Sequence, residues 1–506
     1  MLAAMPTTPV VDSTFTALPL DALADAALGR ASTLGAGHAD VRIERIVTGL
    51  RSYRDTKLES SSEGTDLGLA VRVIVDGAWG FAADTALTVD AAAAVAERAV
   101  ATARVSAGLA PRAAELADEP VHRGEWVSAY EVNPFEVPAG EIDQRFGDLS
   151  SRMLADDAVH HTSATLMTVQ ENKFYADTAG SRTVQQRIRL HPEFTAVQVG
   201  ADGFNSMRTL APPVGRGWEY LTGTGWDFDA EIAEIPSLLD EHAKAPSVEP
   251  GRTDLVIAPT NLWLTIHESI AHGTELDRAL GYEAAYAGTS FATFDQLGSL
   301  AYGSEALNVT GDRTTEHGLA SIGWDDEGVA AQEFDIISGG TLVGYQLNRQ
   351  MAREKGLGRS NGCAFADSPG HIPLQRMPNV SVAADPDGPD TAELVSRVED
   401  GLLVLGDKSW SIDMQRYNFQ FTGQRFHRIK DGKIVGQVKD AAYQATTTEF
   451  WGSMEAVGGP QTWLLAGAFN CGKGQPGQVA AVSHGAPSAL FRGVNVLNTR
   501  TEGGAA

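Results

Sequence analysis

The chain has little cysteine: Cys363 and Cys471 are the only two in 506 residues. That is too few for a disulfide framework and suits a reducing compartment, where an isolated thiol is either a small buried hydrophobe or a group with chemistry to perform. Long apolar runs are lacking as well. No stretch approaches the roughly 20 uninterrupted apolar residues needed to span a bilayer, so no membrane association is expected. Met1 to Leu20 shows no basic segment ahead of an apolar core and no Arg-rich character, so neither a secretory signal nor a transit peptide is read there and a cytoplasmic location is the default expectation. Positive charge is scarce: 39 Lys and Arg stand against 65 Asp and Glu, a net charge of −26. Such a balance repels phosphate backbones and anionic lipid surfaces, so nucleic acid is not an expected partner, and the acidity reads chiefly as a source of solubility.

What the chain does have is length and apolar content. With 43% hydrophobic residues it can bury sizeable cores, and at roughly 150 residues per domain its length predicts about three units. The expected fold class is α+β and multidomain: an N-terminal α/β domain over residues 1–125, a middle α+β domain over 126–245, and a β-rich domain over 246–500 that carries the candidate site. In the first, an Ala/Leu helix over 21–28 and a strand over 38–46 precede a hairpin, 67–75 and 78–82, around Asp76-Gly77, a dipeptide suited to a tight type I′ turn. A long Ala-rich helix follows, with Thr88 as its N-cap. In the middle unit, alternation predicts strands over 164–169, 187–190 and 193–199, then a helix over 230–244. The last unit opens with a strand over 254–258 and a helix from Pro259, on which Trp263, Ile266 and Ile270 form one apolar stripe of core type. Short alternating runs with turn signals follow, interrupted by a helix over 390–400.

The segment His267-Glu268-Ser269-Ile270-Ala271-His272 places two imidazoles and a carboxylate within six residues. Zinc chemistry needs such groups together: neutral imidazole nitrogens to hold the ion and a carboxylate beside an open position to take a proton from water. The familiar spacing is His-Glu-x-x-His, whose histidines lie about 40° apart around a regular helix. Here the second histidine comes one residue later, which in a regular helix separates the two by roughly 140°. Chelation of one ion then requires a π-bulge, or a helix that ends between them, and Gly273 suits the left-handed conformation common at helix C-termini. A third ligand is required. Cys471 lies in a glycine-rich run, residues 470–477, with Lys473 near enough in sequence to favour a thiolate. Cys363 is its rival, and residue chemistry alone does not separate them.

The stretch from His267 to Phe291 resembles the signature of the TldD/PmbA metalloprotease family, whose catalytic subunits carry His-Glu-x-x-x-His. Residues 67–81 resemble that family's N-terminal hairpin, and further similarities fall at 325–328, 375–379, 431–433, 438–439 and 471–475, in collinear order along almost the whole chain. The resemblance implies that His267, His272 and Cys471 bind zinc, Zn2+, and that Glu268 is the general base. It matches Cys363 to no ligand, and places Glu275 and Asp277 at acidic positions after the motif, either supporting the ligands or lying at the surface. The loop after His272 departs from the best-known bacterial form. Because every motif residue is retained, the chain resembles the catalytic TldD-like member, expected as a homodimer or as a heterodimer with a PmbA/TldE-like subunit. The family is also called a modulator of DNA gyrase, for which the net charge gives no support as direct DNA binding.

The expected function is therefore that of a zinc metallopeptidase that hydrolyses peptide bonds in unfolded or short peptides through metal-activated water and Glu268. Two neutral imidazoles and one thiolate leave a formal +1 charge, so additional donors are expected for the oxyanion; His371, His484, Tyr286 and Arg376 are candidates. The rival expectations are a non-catalytic zinc or peptide-binding protein and a structural partner subunit.

Overall fold

Asp76 and Gly77, at φ of 50° and 73°, close the anticipated hairpin between strands Lys57–Val75 and Ala78–Asp84. Two successive positive φ values are what a type I′ turn demands. The structure is a computed structural model and describes residues 9–109, 112–200, 203–474 and 477–502; Gln475 and Pro476 of the glycine-rich run lie outside the described residues. The hairpin belongs to a seven-stranded sheet in which His38–Arg54 pairs with Lys57–Val75 on one side and with His161–Asp177 on the other. Arg182–Gly200 continues it beyond His161–Asp177, and Gly203–Arg208 and Arg123–Val127 finish it. The expected boundary between residues 125 and 126 therefore falls within the span of one sheet. The runs expected separately at 187–190 and 193–199 are a single strand. Pro192 sits where the strand is paired to Leu166 on one side only, so its missing N–H breaks no ladder on the other.

Helices cover one face of this sheet. Leu20–Thr33 and Val89–Ala107, the latter capped by the Thr88 hydroxyl accepting from the Ala91 amide at 3.2 Å, bury apolar stripes against Phe174 and Ala176. Ala139–Leu154 and Phe228–Lys244 bury theirs further along, against Ala164 and Leu166 of the same strand. These four strand positions are all even-numbered and so share one face. The odd-numbered positions carry Glu171 and Lys173, both buried. Glu171 accepts from Arg187 and Arg189 at 2.9 Å, and Lys173 donates to Asp326 at 2.8 Å, a residue of the second half of the chain. The charged face is thus buried against that second half. Arg72 completes the join, bonded to Asp40 at 2.8 Å and to Glu327 at 3.0 Å.

The second half is built on a sheet in the order Asp400–Ile412, Gly251–Ile257, Ala489–Asn498, Ala441–Thr446, Asn418–Lys430 and Lys433–Val438. Asp400–Ile412 also pairs with Asn418–Lys430, which closes five of these strands on themselves. The expected helix over 390–400 is shorter, Thr391–Ser396, because Asp400 already opens a strand. The helix Pro259–Ile266 packs against this sheet, pinned by Asn261, whose amide donates to the Gly406 carbonyl at 2.9 Å and whose oxygen accepts from Tyr443 at 2.8 Å. Ile266 and Ile270 are fully buried and belong to the large core of this half. The chain is an α+β protein, and the end of this helix delivers the candidate site.

Candidate metal centre

The winding changes where the motif begins. After Ile266 the backbone widens into a π-helical turn, His267–Ala271, in which the amide of His272 donates to the carbonyl of His267, five residues back. A tight turn, His272–Thr274, follows. The wider turn cancels the roughly 140° separation that a regular helix would impose. Both imidazoles consequently lie on one side, with ring centroids 4.7 Å apart. Side chains hold the displaced backbone groups: Tyr302 donates to the Ser269 carbonyl at 2.5 Å, Gln346 to the Ala271 carbonyl at 2.6 Å, and Thr274 to the Ile270 carbonyl at 2.9 Å. Gly273 plays a different part from the one expected. The winding runs on through it with no left-handed residue, and its hydrogen side chain matters because a Cβ there would meet the Tyr302 hydroxyl at 2.9 Å.

Cys471 reaches the same point from strand Leu464–Lys473, whose pairing with Gln478–Ala486 slips between Ala468 and Cys471. One donor atom each from His267, His272 and Cys471 lie within 4.8 Å of one another, all three residues buried. His272 Nε2 is 3.7 Å from Cys471 Sγ. Burial pushes both imidazoles below their ordinary pKa, which favours the neutral donor form. Burial alone would raise the Cys471 thiol, but the charge of Arg376 and the contact with His272 outweigh it and hold the thiol below its usual range. The cation beside Cys471 is Arg376, which donates to the Cys471 carbonyl at 2.5 Å. Lys473, expected in that role, is instead held by Glu275 at 2.9 Å, Asp277 at 2.8 Å and Gln375 at 3.1 Å. Cys363 is fully buried elsewhere, and burial pushes its thiol up to about 12, as expected of an inert core residue. Two neutral imidazoles and a low-pKa thiol in one small volume match the N and S donors that zinc takes.

Around these donors the structure adds charge in pairs. Glu268 Oε2 accepts from Arg416 Nη1 at 2.7 Å, while Oε1 has no hydrogen-bond partner among the described residues. Arg416 comes from the hairpin tip between Ile412 and Asn418, at φ of 62°, and the Thr447 hydroxyl holds its carbonyl at 2.8 Å. His272 Nδ1 faces Glu275 Oε2 at 2.9 Å, and Arg278 bonds the same oxygen at 3.2 Å. Burial would raise the Glu275 carboxyl, yet Lys473, His272 and Arg278 hold it well below the ordinary carboxylate range. Asp277 touches Lys473, one step further out. Of the four proposed oxyanion donors, His371 is engaged by Asp367 at 2.6 Å and Tyr286 is half exposed on the loop after the motif. Arg376 and His484 do touch the cluster, His484 Nε2 lying 2.7 Å from His267 Nδ1. Arg416, Tyr302 and Gln346 carry no sequence mark, since each arrives from a distant loop or strand end.

Known proteins named metalloproteases are similar to the chain over most of its length. Residues 250–498 match the PmbA/TldA metallopeptidase C-terminal domain and residues 39–103 the PmbA/TldA metallopeptidase domain 1. A protein from Methanothermobacter thermautotrophicus named metalloprotease is 26% identical over 466 residues, covering 91% of this chain and 96% of its own. One from Saccharolobus solfataricus named zinc metalloprotease TldD homolog is 22% identical, covering 90% and 96%. Among solved structures, TldE from Thermococcus kodakarensis superposes with a TM-score of 0.70 at 13% identity over 93% of this chain and 98% of its own, which speaks to the fold. A Thermotoga maritima protein described as a modulator of a DNA gyrase gives 0.72 at 15% identity, covering 94% and 99%. With its two matched domains in order and its buried His-His-Cys cluster, the chain belongs to the PmbA/TldD family of metallopeptidases.

Proposed function

We propose that this chain is a zinc peptidase acting on unfolded or short peptides, with residues 246–500 as its catalytic unit. The observation that carries the reading is the convergence of His267, His272 and Cys471 within 4.8 Å, beside the carboxylate of Glu268. His267, His272 and Cys471 would hold the ion, which supplies Lewis acidity at neutral pH. Glu268 is the base: Arg416 occupies Oε2 and fixes the carboxylate's orientation, leaving Oε1 to accept the proton of the attacking water and return it to the leaving amine. Arg376 brings positive charge to the cysteine side of the centre.

The strand that carries Cys471 belongs to a two-stranded sheet, and no other strand among the described residues pairs with it. An extended peptide adding to that edge through main-chain hydrogen bonds would be recognised with little dependence on side chains and only when unfolded. The family and the fold likeness to TldE support a dimer, either of two copies or with a PmbA/TldE-like subunit. No helix of the described residues is long and apolar enough to cross a membrane.

Metal content tests the ligand set. Cys471→Ser is expected to lose zinc and peptide hydrolysis together, and Cys363→Ser to keep both. Zinc retained by Cys471→Ser at full stoichiometry would overturn the assignment.

A further inference from the structure

His484 lies on strand Gln478–Ala486 and is fully buried. Its ring is parallel to that of Trp263, 8° between planes with centroids 6.4 Å apart. Both of its nitrogens are engaged. Nδ1 is 2.9 Å from the carbonyl oxygen of Val380, and Nε2 is 2.7 Å from Nδ1 of His267. A carbonyl oxygen only accepts, so the contact with Val380 is a hydrogen bond only if Nδ1 of His484 carries the proton. The neutral imidazole has one N–H, which leaves Nε2 of His484 as an acceptor. Its neighbour, Nδ1 of His267, must then be the donor, and the lone pair of His267 is left on Nε2.

We propose that His484 is a positioning residue for the metal centre: through the chain Val380 carbonyl, His484, His267, it fixes the tautomer and ring orientation that make Nε2 of His267 the donor atom. The inference rests on the zinc reading of the His267–His272–Cys471 cluster. His272 reaches the same end through a different partner, since the Glu275 carboxylate accepts from its Nδ1 and leaves its Nε2 toward Cys471. A buried imidazole takes the carboxylate's place at His267, so this ligand is oriented without added negative charge beside it. Nor can His484 serve as an oxyanion donor, because its single N–H is committed to Val380.

The test compares His484→Gln with His484→Phe. Glutamine offers an oxygen to accept from His267 and an amide to donate to Val380, whereas phenylalanine fills the space and does neither. Metal-free proteins are titrated with zinc against a competing chelator, and their thermal unfolding without metal is recorded alongside. Loss of such a supporting partner lowers metal affinity about 10- to 100-fold. His484→Phe is expected to show that loss, and His484→Gln to bind zinc within a few-fold of wild type. Equal affinity of His484→Phe and wild type, or equal loss in both variants, overturns the proposal. Should His484→Phe fail to fold, His484→Met, flexible and without a donor, takes its place with the same expected loss. If the wild-type protein binds no zinc, it is the zinc reading that fails; if wild type binds zinc and His484→Phe matches it, only the role of His484 falls.

Discussion

The amide of His272 donates to the carbonyl of His267, so the two histidines are joined by the one backbone bond that an α-helix cannot make between them. The extra residue in His-Glu-x-x-x-His and the wide turn are thus one feature seen in sequence and in space. The bond depends on outside help for the neighbouring carbonyls, and Gln346 gives it to Ala271 at 2.6 Å. Gln346→Leu leaves that buried carbonyl short of its donor, at an expected cost of about 1–3 kcal/mol in unfolding free energy. Zinc affinity should fall with it, because the winding is what aligns the imidazoles. A variant with unchanged denaturant midpoint and zinc affinity would show that the turn holds itself.

Gly273→Ala tests the packing under that turn. Its Cβ would stand 2.9 Å from the Tyr302 hydroxyl, which itself bonds the Ser269 carbonyl at 2.5 Å. Overpacking of this kind costs about 1–3 kcal/mol. Tyr302→Phe removes the clashing oxygen, so the double variant is expected to lose less stability than the two single losses added. Strict additivity in denaturant unfolding would contradict the contact.

Glu275 is expected to matter to zinc out of proportion to its distance from the ion. It accepts from His272 and sits between Lys473 and Arg278. Glu275→Gln can still hydrogen-bond the imidazole but leaves two buried cations without their shared carboxylate. Zinc affinity by chelator competition should drop about 10- to 100-fold. An unchanged affinity would place Glu275 in folding alone.

Acid stability offers a test away from the metal. Burial would raise the Asp40 carboxyl, but Arg72 outweighs it and lowers the group to about 2. A carboxylate whose folded value is depressed stabilises the fold fully above its unfolded value near 4, and loses that contribution as pH falls through about 2. The shift corresponds to about 2 kcal/mol. Asp40→Asn should therefore be less stable than wild type at pH 6, with the difference narrowing between pH 4 and 2. A difference that stays constant with pH would remove the ion pair as its cause.

Much of this was legible in residues. Asp76-Gly77 declared its turn, Thr88 its cap, and the stripe Trp263, Ile266, Ile270 its core face, because each follows from local chemistry. The extra residue before His272 announced an abnormal winding, and the collinear resemblance chose Cys471 over Cys363. The features that stayed hidden depend on the approach of distant segments. Arg416 reaches Glu268 from 148 residues away, and His484 reaches His267 from 217. Alternation in residues 187–199 marks one face of a strand as charged, but only the packed second half shows that Arg187 and Arg189 are buried. That the runs 187–190 and 193–199 form one strand is hidden in the same way: whether the missing N–H of Pro192 between them interrupts a ladder depends on which neighbours the strand has.

The central claim is that Glu268 moves the proton while His267, His272 and Cys471 hold the ion. It is tested most directly by turnover of an unfolded peptide by Glu268→Gln protein carrying one equivalent of zinc. Loss of a general base predicts a fall of about 10²- to 10⁴-fold in kcat at undiminished zinc content. Turnover equal to wild type at the same metal loading would contradict it.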